Sequence, residues 1–208
     1  MKLIIFGATG TLGRVLVKHA IKAGHQVTAF TRSGEFPHLS HANLSIVQGD
    51  VLAANVVAAS LKNQEAVIVA LGAGRKGHVR TAGTQNIIAG MREHGVKRLL
   101  VQSTLGANDS KENLNFFWKN IMFGMLLRPA MADHETQEEA VGTSGLAWTI
   151  MRPAAFTDGP ATGAYKHGFA HDSAAKLTLK ISRADIADFF MAQLSSDRYL
   201  HQTPALSY

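Results

Sequence analysis

The sequence predicts an α/β protein built as a doubly wound parallel sheet with helices on both faces. Three observations predict it. Short apolar runs of strand length alternate with stretches of helical periodicity between residues 3 and 194. The first run, Leu3-Ile4-Ile5-Phe6, shows no polar alternation, which suits a strand covered on both faces by crossover helices. That run passes directly into Gly7, Gly10 and Gly13, and then into Leu12, Val15 and Leu16 at helical spacing.

Strand, glycine turn and helix in that order form the setting of a Rossmann-type dinucleotide loop. The spacing here is GxxGxxG rather than GxGxxG. Gly7 would permit the tight turn, Gly10 the approach of backbone to a diphosphate, and Gly13 close packing of helix on strand. The helix start offers free N–H groups and a positive dipole end at Leu12 and Gly13, and Thr9 and Thr11 add hydroxyl donors. A βα turn without a ligand would carry the same glycines; its context at the first strand favours the cofactor reading.

The following elements are placed in order. A strand at 26–30 ends in Thr31-Arg32-Ser33. An NAD site places an acid about 20 residues beyond the glycines to accept from the ribose hydroxyl. No acid lies between Gln26 and Gly34, and Arg32 with Ser33 stands there instead. A guanidinium pairs with a 2′-phosphate that a carboxylate would repel, so NADP(H) is favoured over NAD(H). The alternative for Arg32 is a solvated loop charge. A third strand at 44–47 closes in Gly49-Asp50-Val51, where Asp50 and Val51 are candidate adenine contacts. Asp50 also reads as the N-cap of a helix over 52–61. The strand at 65–70 ends in Leu71-Gly72-Ala73-Gly74, which faces the first glycine loop across the switch point, and Arg75 and Lys76 follow it.

A helix at 79–94 leads to a strand at 98–102 that ends in Ser103-Thr104. Residues 113–127 are bulky, aromatic and Met-rich, either a helix over a flat substrate or a core or interface helix. A helix at 131–142, a strand at 146–151, a Gly/Pro-rich loop at 154–168 and a short strand at 176–181 come next. Ser182 caps a final helix at 183–194. No repeat or linker interrupts the pattern, so one domain over residues 1–208 is expected.

Composition narrows the function. Hydrophobic residues make up 46% and charged residues 17%, the balance of a globular chain. There is no cysteine, which removes disulfides and thiolate chemistry. The net charge of +6 divides unevenly. Residues 1–104 hold 12 Lys/Arg against 4 Asp/Glu, and residues 105–208 hold 9 against 11. The excess therefore lies in the half with the glycine loop, where a polyanionic cofactor would account for it. No basic run or basic–aromatic stripe supports nucleic-acid binding. The longest apolar stretch, 121–127, is too short to span a bilayer, so no membrane partner and a cytoplasmic location are expected, with a monomer or weak homo-oligomer. His167 and His171 are four apart but separated by Gly168 in a strand-like context, so no metal is expected.

The YxxxK acid–base pair of short-chain dehydrogenases is absent: none of Tyr165, Tyr199 and Tyr208 has Lys four residues on. The motifs GATGTLG, LGAG, QST and RPAAFTDGPATGAY nevertheless resemble the atypical short-chain reductases with an NmrA-like NAD(P)-binding domain. Within them the likeness is to flavin and biliverdin-IXβ reductases and covers nearly the whole chain. The resemblance implies an NADPH-dependent reductase of a flat conjugated acceptor, a flavin or a linear tetrapyrrole. It implies that Ser103 and Thr104 sit beside the nicotinamide. Pro153, Ala154 and Phe156 belong to the implied cofactor site, with Phe156 and Trp118 or Phe117 flanking the acceptor. Family members often carry a histidine in the late loop, and 153–156 has none. The alternative is an NmrA-like regulator that binds NADP(H) as a redox signal without turnover.

Overall fold

The computed structural model describes residues 1–72, 78–168 and 177–208. Among these residues eight strands form one sheet in the order β3-β2-β1-β4-β5-β6-β10-β8. The first six are β1 (Lys2–Phe6), β2 (Gln26–Thr31), β3 (Leu44–Gln48), β4 (Ala66–Val69), β5 (Arg98–Gln102) and β6 (Ala147–Pro153). All pairs among them are parallel, and the strand order reverses between β1 and β4, the switch point of a doubly wound sheet. Among the described residues five α-helices connect or cover these strands: α1 (Gly13–Lys22), α2 (Ala54–Leu61), α3 (Val79–Glu93), α4 (Arg128–Gly142) and α5 (Arg183–Gln193).

The period of two in β1 divides the core. Leu3 and Ile5 face one layer with Leu16 and Val17 of α1 and Ile186 and Phe190 of α5. Ile4 and Phe6 face the other with Val57 and Leu61 of α2, Ile87 and Met91 of α3, and Val141 of α4. A strand with both faces covered needs apolar residues throughout, which is why Leu3-Ile4-Ile5-Phe6 lacks polar alternation.

Several expectations are corrected. The sheet does not end at β6. Residues 205–207 form β10 (Ala205–Ser207), parallel to β6, and β8 (Lys166–His167) adds an antiparallel edge beyond it. The 154–168 stretch is therefore not all loop: it holds β8 and also β7 (Ala155–Thr157), which pairs with β9 (Lys180–Ser182) in a separate two-stranded sheet. The strand foreseen at 176–181 is this β9, and residue 176 lies outside the described residues. The helix foreseen from 131 begins at Arg128, with Pro129 in its first turn, where no N–H is needed. Residues 113–127 do not form an α-helix: a 3₁₀ turn at Asn108–Asn113 precedes a π-helical segment at Phe117–Leu126. Asp50 is not the N-cap of α2, which starts at Ala54 after Ala53; its carboxylate accepts instead from Leu52 N–H at 2.9 Å. Ser182 does cap α5, accepting from Asp185 N–H at 3.0 Å.

Candidate active site

The carboxyl ends of β1 to β6 gather the predicted residues that the structure describes on one side of the sheet. The chain leaves β1 through Gly7 at φ +81°, and a Cβ there would lie 2.2 Å from the Ala70 carbonyl oxygen at the end of β4. Only glycine fits this left-handed crossing of two strand ends. At Gly13, the first residue of α1, a Cβ would lie 2.1 Å from Gly7 O. The helix can thus sit close behind the loop. Gly10 N–H closes the turn onto Gly7 O at 3.0 Å, and Gly10 and Thr11 stand exposed beside half-buried Thr9. Leu12 turns its side chain into the core. No side chain caps α1 and no acid lies in its first turn. The loop therefore presents the positive end of a helix to solvent without an internal counter-charge, the arrangement that receives a diphosphate.

Arg32 and Ser33 are exposed just beyond β2. The turn that carries them is fixed from two sides. Gly34 N–H donates to Thr31 Oγ1 at 3.0 Å, and Gln48 Nε2 from the end of β3 donates to Arg32 O at 3.3 Å. Asp50 is exposed nearby, whereas the Val51 side chain packs inward and its carbonyl accepts from Asn86 Nδ2 at 3.0 Å. Of the two candidate adenine contacts, then, only Asp50 offers its side chain. After β4, Leu71 is buried and Gly72 is exposed. Ala73, Gly74 and Arg75, and Lys76 with them, lie outside the described residues.

At the end of β5 the two hydroxyl residues separate. Ser103 is fully buried, its N–H donates to Met151 O at 2.7 Å, and its Oγ stands 3.5 Å from His134 Nδ1 on α4. Thr104 is half-buried and lines an apolar pocket of about 190 Å³. Leu114, Trp118, Phe123, Phe156 and Leu179 form most of its remaining wall, with Ala154 and Ala155. Pro153 is buried behind it, and its carbonyl accepts from Leu105 N–H at 2.9 Å. Phe156 and Trp118 thus meet at one pocket. Phe117 points to solvent and is not part of it.

Beneath β5 lies a polar layer that has no counterpart among the predicted site residues. α4 buries Asp133, His134, Gln137 and Glu138. Asp133 caps α3 from outside, accepting from Arg80 N–H at 3.1 Å and Thr81 N–H at 3.0 Å. Burial pushes its carboxyl up, but these N–H groups and the Arg80 charge outweigh that and hold it below the ordinary value. Burial, and then the Arg80 charge, push His134 down to about 3, so its imidazole is neutral. Glu138 accepts from Arg152 at 2.9 and 2.6 Å, and Asp109 adds a third contact at 2.6 Å. A helical repeat of polar residues at 133–134 and 137–138 was the available signal, but polarity ordinarily marks the solvent face.

None of the three tyrosines lines the pocket. Tyr199 donates to or accepts from His167 Nδ1 at 2.7 Å, and Tyr208 donates to Asp185 at 2.5 Å. Burial, with Asp185 and Asp188 behind it, pushes the Tyr165 phenol up to about 12.

The NAD(P)H-binding family profile matches residues 7–197, and the chain belongs to that family. It is 29% identical over 173 residues to the uncharacterised protein YwnB of Bacillus subtilis, covering 81% of this chain and 79% of that one. It spans 33% and 46% of the length of two longer curated relatives. Among solved structures it resembles ChuY, an anaerobilin reductase from Escherichia coli O157:H7, with TM-score 0.78 and 22% identity over 99% of this chain and 96% of ChuY. It also resembles a short-chain dehydrogenase/reductase from Veillonella parvula in complex with NADP, with TM-score 0.82 and 15% identity over 100% of this chain and 94% of that one. At these identities the two structures speak for the shared Rossmann fold.

Proposed function

We propose that this protein is an NADPH-dependent reductase acting on a flat conjugated acceptor, with the whole chain as one cofactor-binding unit whose segments at 105–170 wall the acceptor. The observation that carries the reading is the apolar pocket between Thr104 and Phe156, beside the carboxyl ends of β5 and β6. Ligands of doubly wound sheets lie along that edge. The glycine loop has the closeness and the uncapped helix end that fit a dinucleotide diphosphate. Arg32 and Ser33 would take the 2′-phosphate, Asp50 the adenine edge, and Leu71 and Gly72 the ribose side. The reduced nicotinamide supplies a hydride when bound.

The chain's own residues then have three tasks. Thr104 holds the reactive ring by its hydroxyl, with buried Ser103 behind it as a strand-end support anchored toward His134. Phe156 and Trp118 present flat apolar faces to an acceptor ring and keep water from it. Among the described residues no tyrosine or histidine lines the pocket, which suits an acceptor that can draw its proton from solvent, such as a flavin or a tetrapyrrole. The resemblance to ChuY in fold agrees with a reductase of such acceptors.

The test is to mix the protein with NADPH and, in turn, FMN, riboflavin and biliverdin, and to follow absorbance at 340 nm. Oxidation of NADPH with at least one acceptor is expected. Tight NADPH binding with no oxidation by any of them would instead assign the protein to redox sensing, in the manner of NmrA-like regulators.

A further inference from the structure

The π-helical segment at Phe117–Leu126 has no buried residue, although it is apolar nearly all round. A helix of that composition is ordinarily enclosed. Its long turn divides it into two apolar faces, and Leu127 N–H closes back on Met122 O at 2.8 Å. Trp118, Met122, Phe123 and Leu127 are half-buried on the inner face, and Trp118 and Phe123 wall the acceptor pocket. The outer face shows Phe117 at 51% exposure, Met125 at 74% and Leu126 at 54%, and Phe116 just before it at 75%. So contiguous a patch of large apolar side chains marks a surface that is covered in use.

We infer that this face docks on an anionic bilayer surface. One observation selects that occupant over a second copy of the chain. Between residues 113 and 132 the only charged side chains are Lys119 and Arg128, both positive and both exposed. In a self-complementary dimer the patch meets itself, so these cations would approach their own copies with no acid in the segment to offset them. Anionic headgroups offset them directly while Phe116, Phe117, Met125 and Leu126 enter the acyl boundary. Ten residues are too few to cross a bilayer, so the segment lies on it. The sequence-based expectation of no membrane partner rested on the lack of a spanning stretch, which leaves surface docking untouched. With the inner face of the same segment walling the pocket, docking would set the pocket mouth at the lipid boundary and favour a lipid-dissolved acceptor; this last clause rests on the proposed reductase function, and the docking itself does not.

Flotation of the full chain with zwitterionic vesicles, with and without about 30% anionic lipid, tests it. The protein is expected to float with the anionic vesicles and to be partly released by high salt. The double variant Phe116→Ser/Met125→Ser should bind about tenfold more weakly or worse, with NADPH binding by calorimetry unchanged as proof of its fold. A full chain that stays with the soluble fraction overturns the inference. So does a dimer by light scattering that the same variant returns to monomer. Neither outcome touches the NADPH oxidation assay, so the two readings stand or fall separately.

Discussion

Arg32 is the residue on which the proposed preference for NADPH would turn. Its side chain is exposed, while its backbone is tied by Gln48 and by the Thr31–Gly34 turn. The guanidinium therefore leaves a fixed point and is free to meet a phosphate. Arg32→Ala should weaken NADPH by about 10- to 100-fold, the loss of a charge-assisted contact, and leave NADH nearly unchanged. Isothermal titration with both dinucleotides checks it; equal losses would remove the argument for phosphate selectivity. Gly7 was legible in the sequence because backbone sterics force it, whereas Arg32 stands where an acid is otherwise required and its role is a proposal. The separation of Ser103 from Thr104 was not legible. Adjacent residues at a strand end point to opposite sides, and which side holds the pocket depends on Trp118 and Phe123, far along the chain.

Among the elements, α5 owes its placement to one carboxylate. Asp185 is fully buried and accepts from Thr162 N–H and Gly163 N–H, both at 2.8 Å, from Ser182 Oγ at 3.0 Å and from Tyr208 Oη. It ties the stretch before β8, the start of α5 and residue 208 to a single point. Burial alone would push its carboxyl up; these donors outweigh that and hold it below the ordinary value. Asp185→Ala should cost about 2–4 kcal/mol, since several buried donors lose their partner at once. Urea unfolding measures that cost, and limited proteolysis should find new cleavage between residues 158 and 168. The TGAY motif at 162–165 was visible as a likeness, and the structure supplies its reason: the two N–H groups that Asp185 binds. β10 was not legible. Three residues after Pro204 carry too little periodicity, and only the open edge of β6 makes them a strand.

For the whole molecule, the buried polar layer under β5 sets the response to acid. His134 is neutral in the folded state, with its pKa pushed down to about 3, whereas in the unfolded chain it takes up a proton near 6.5, as a free imidazole does. Between those values the unfolded state binds more protons, so stability falls as pH drops through that window and this loss is complete below about 3. At 1.36 kcal/mol per pKa unit the loss between about pH 7 and about pH 5 is on the order of 2 kcal/mol. Denaturant midpoints across that range should show it, and His134→Asn should flatten the slope. Asp133 and Asp185, both held below their ordinary value, add a further loss as pH falls from that ordinary carboxylate value to their lower folded values. The alternation of strands and helices, with a switch point between the first and fourth strands, could be read from the sequence, since a central parallel strand buried on both faces advertises itself. The polar layer could not, because Asp133 and Gln137 look like solvent-facing residues until α3 is laid across them.

The position of β10 between β6 and β8 bears on synthesis. A nascent chain stopped before residue 205 already holds every strand that carries the glycine loop, yet β6 keeps a naked edge and Asp185 lacks one of its donors. Such an edge is a template for mispairing with other chains. Ribosomes that stall late on this message should therefore yield polypeptides that grip the nucleotide and still clump.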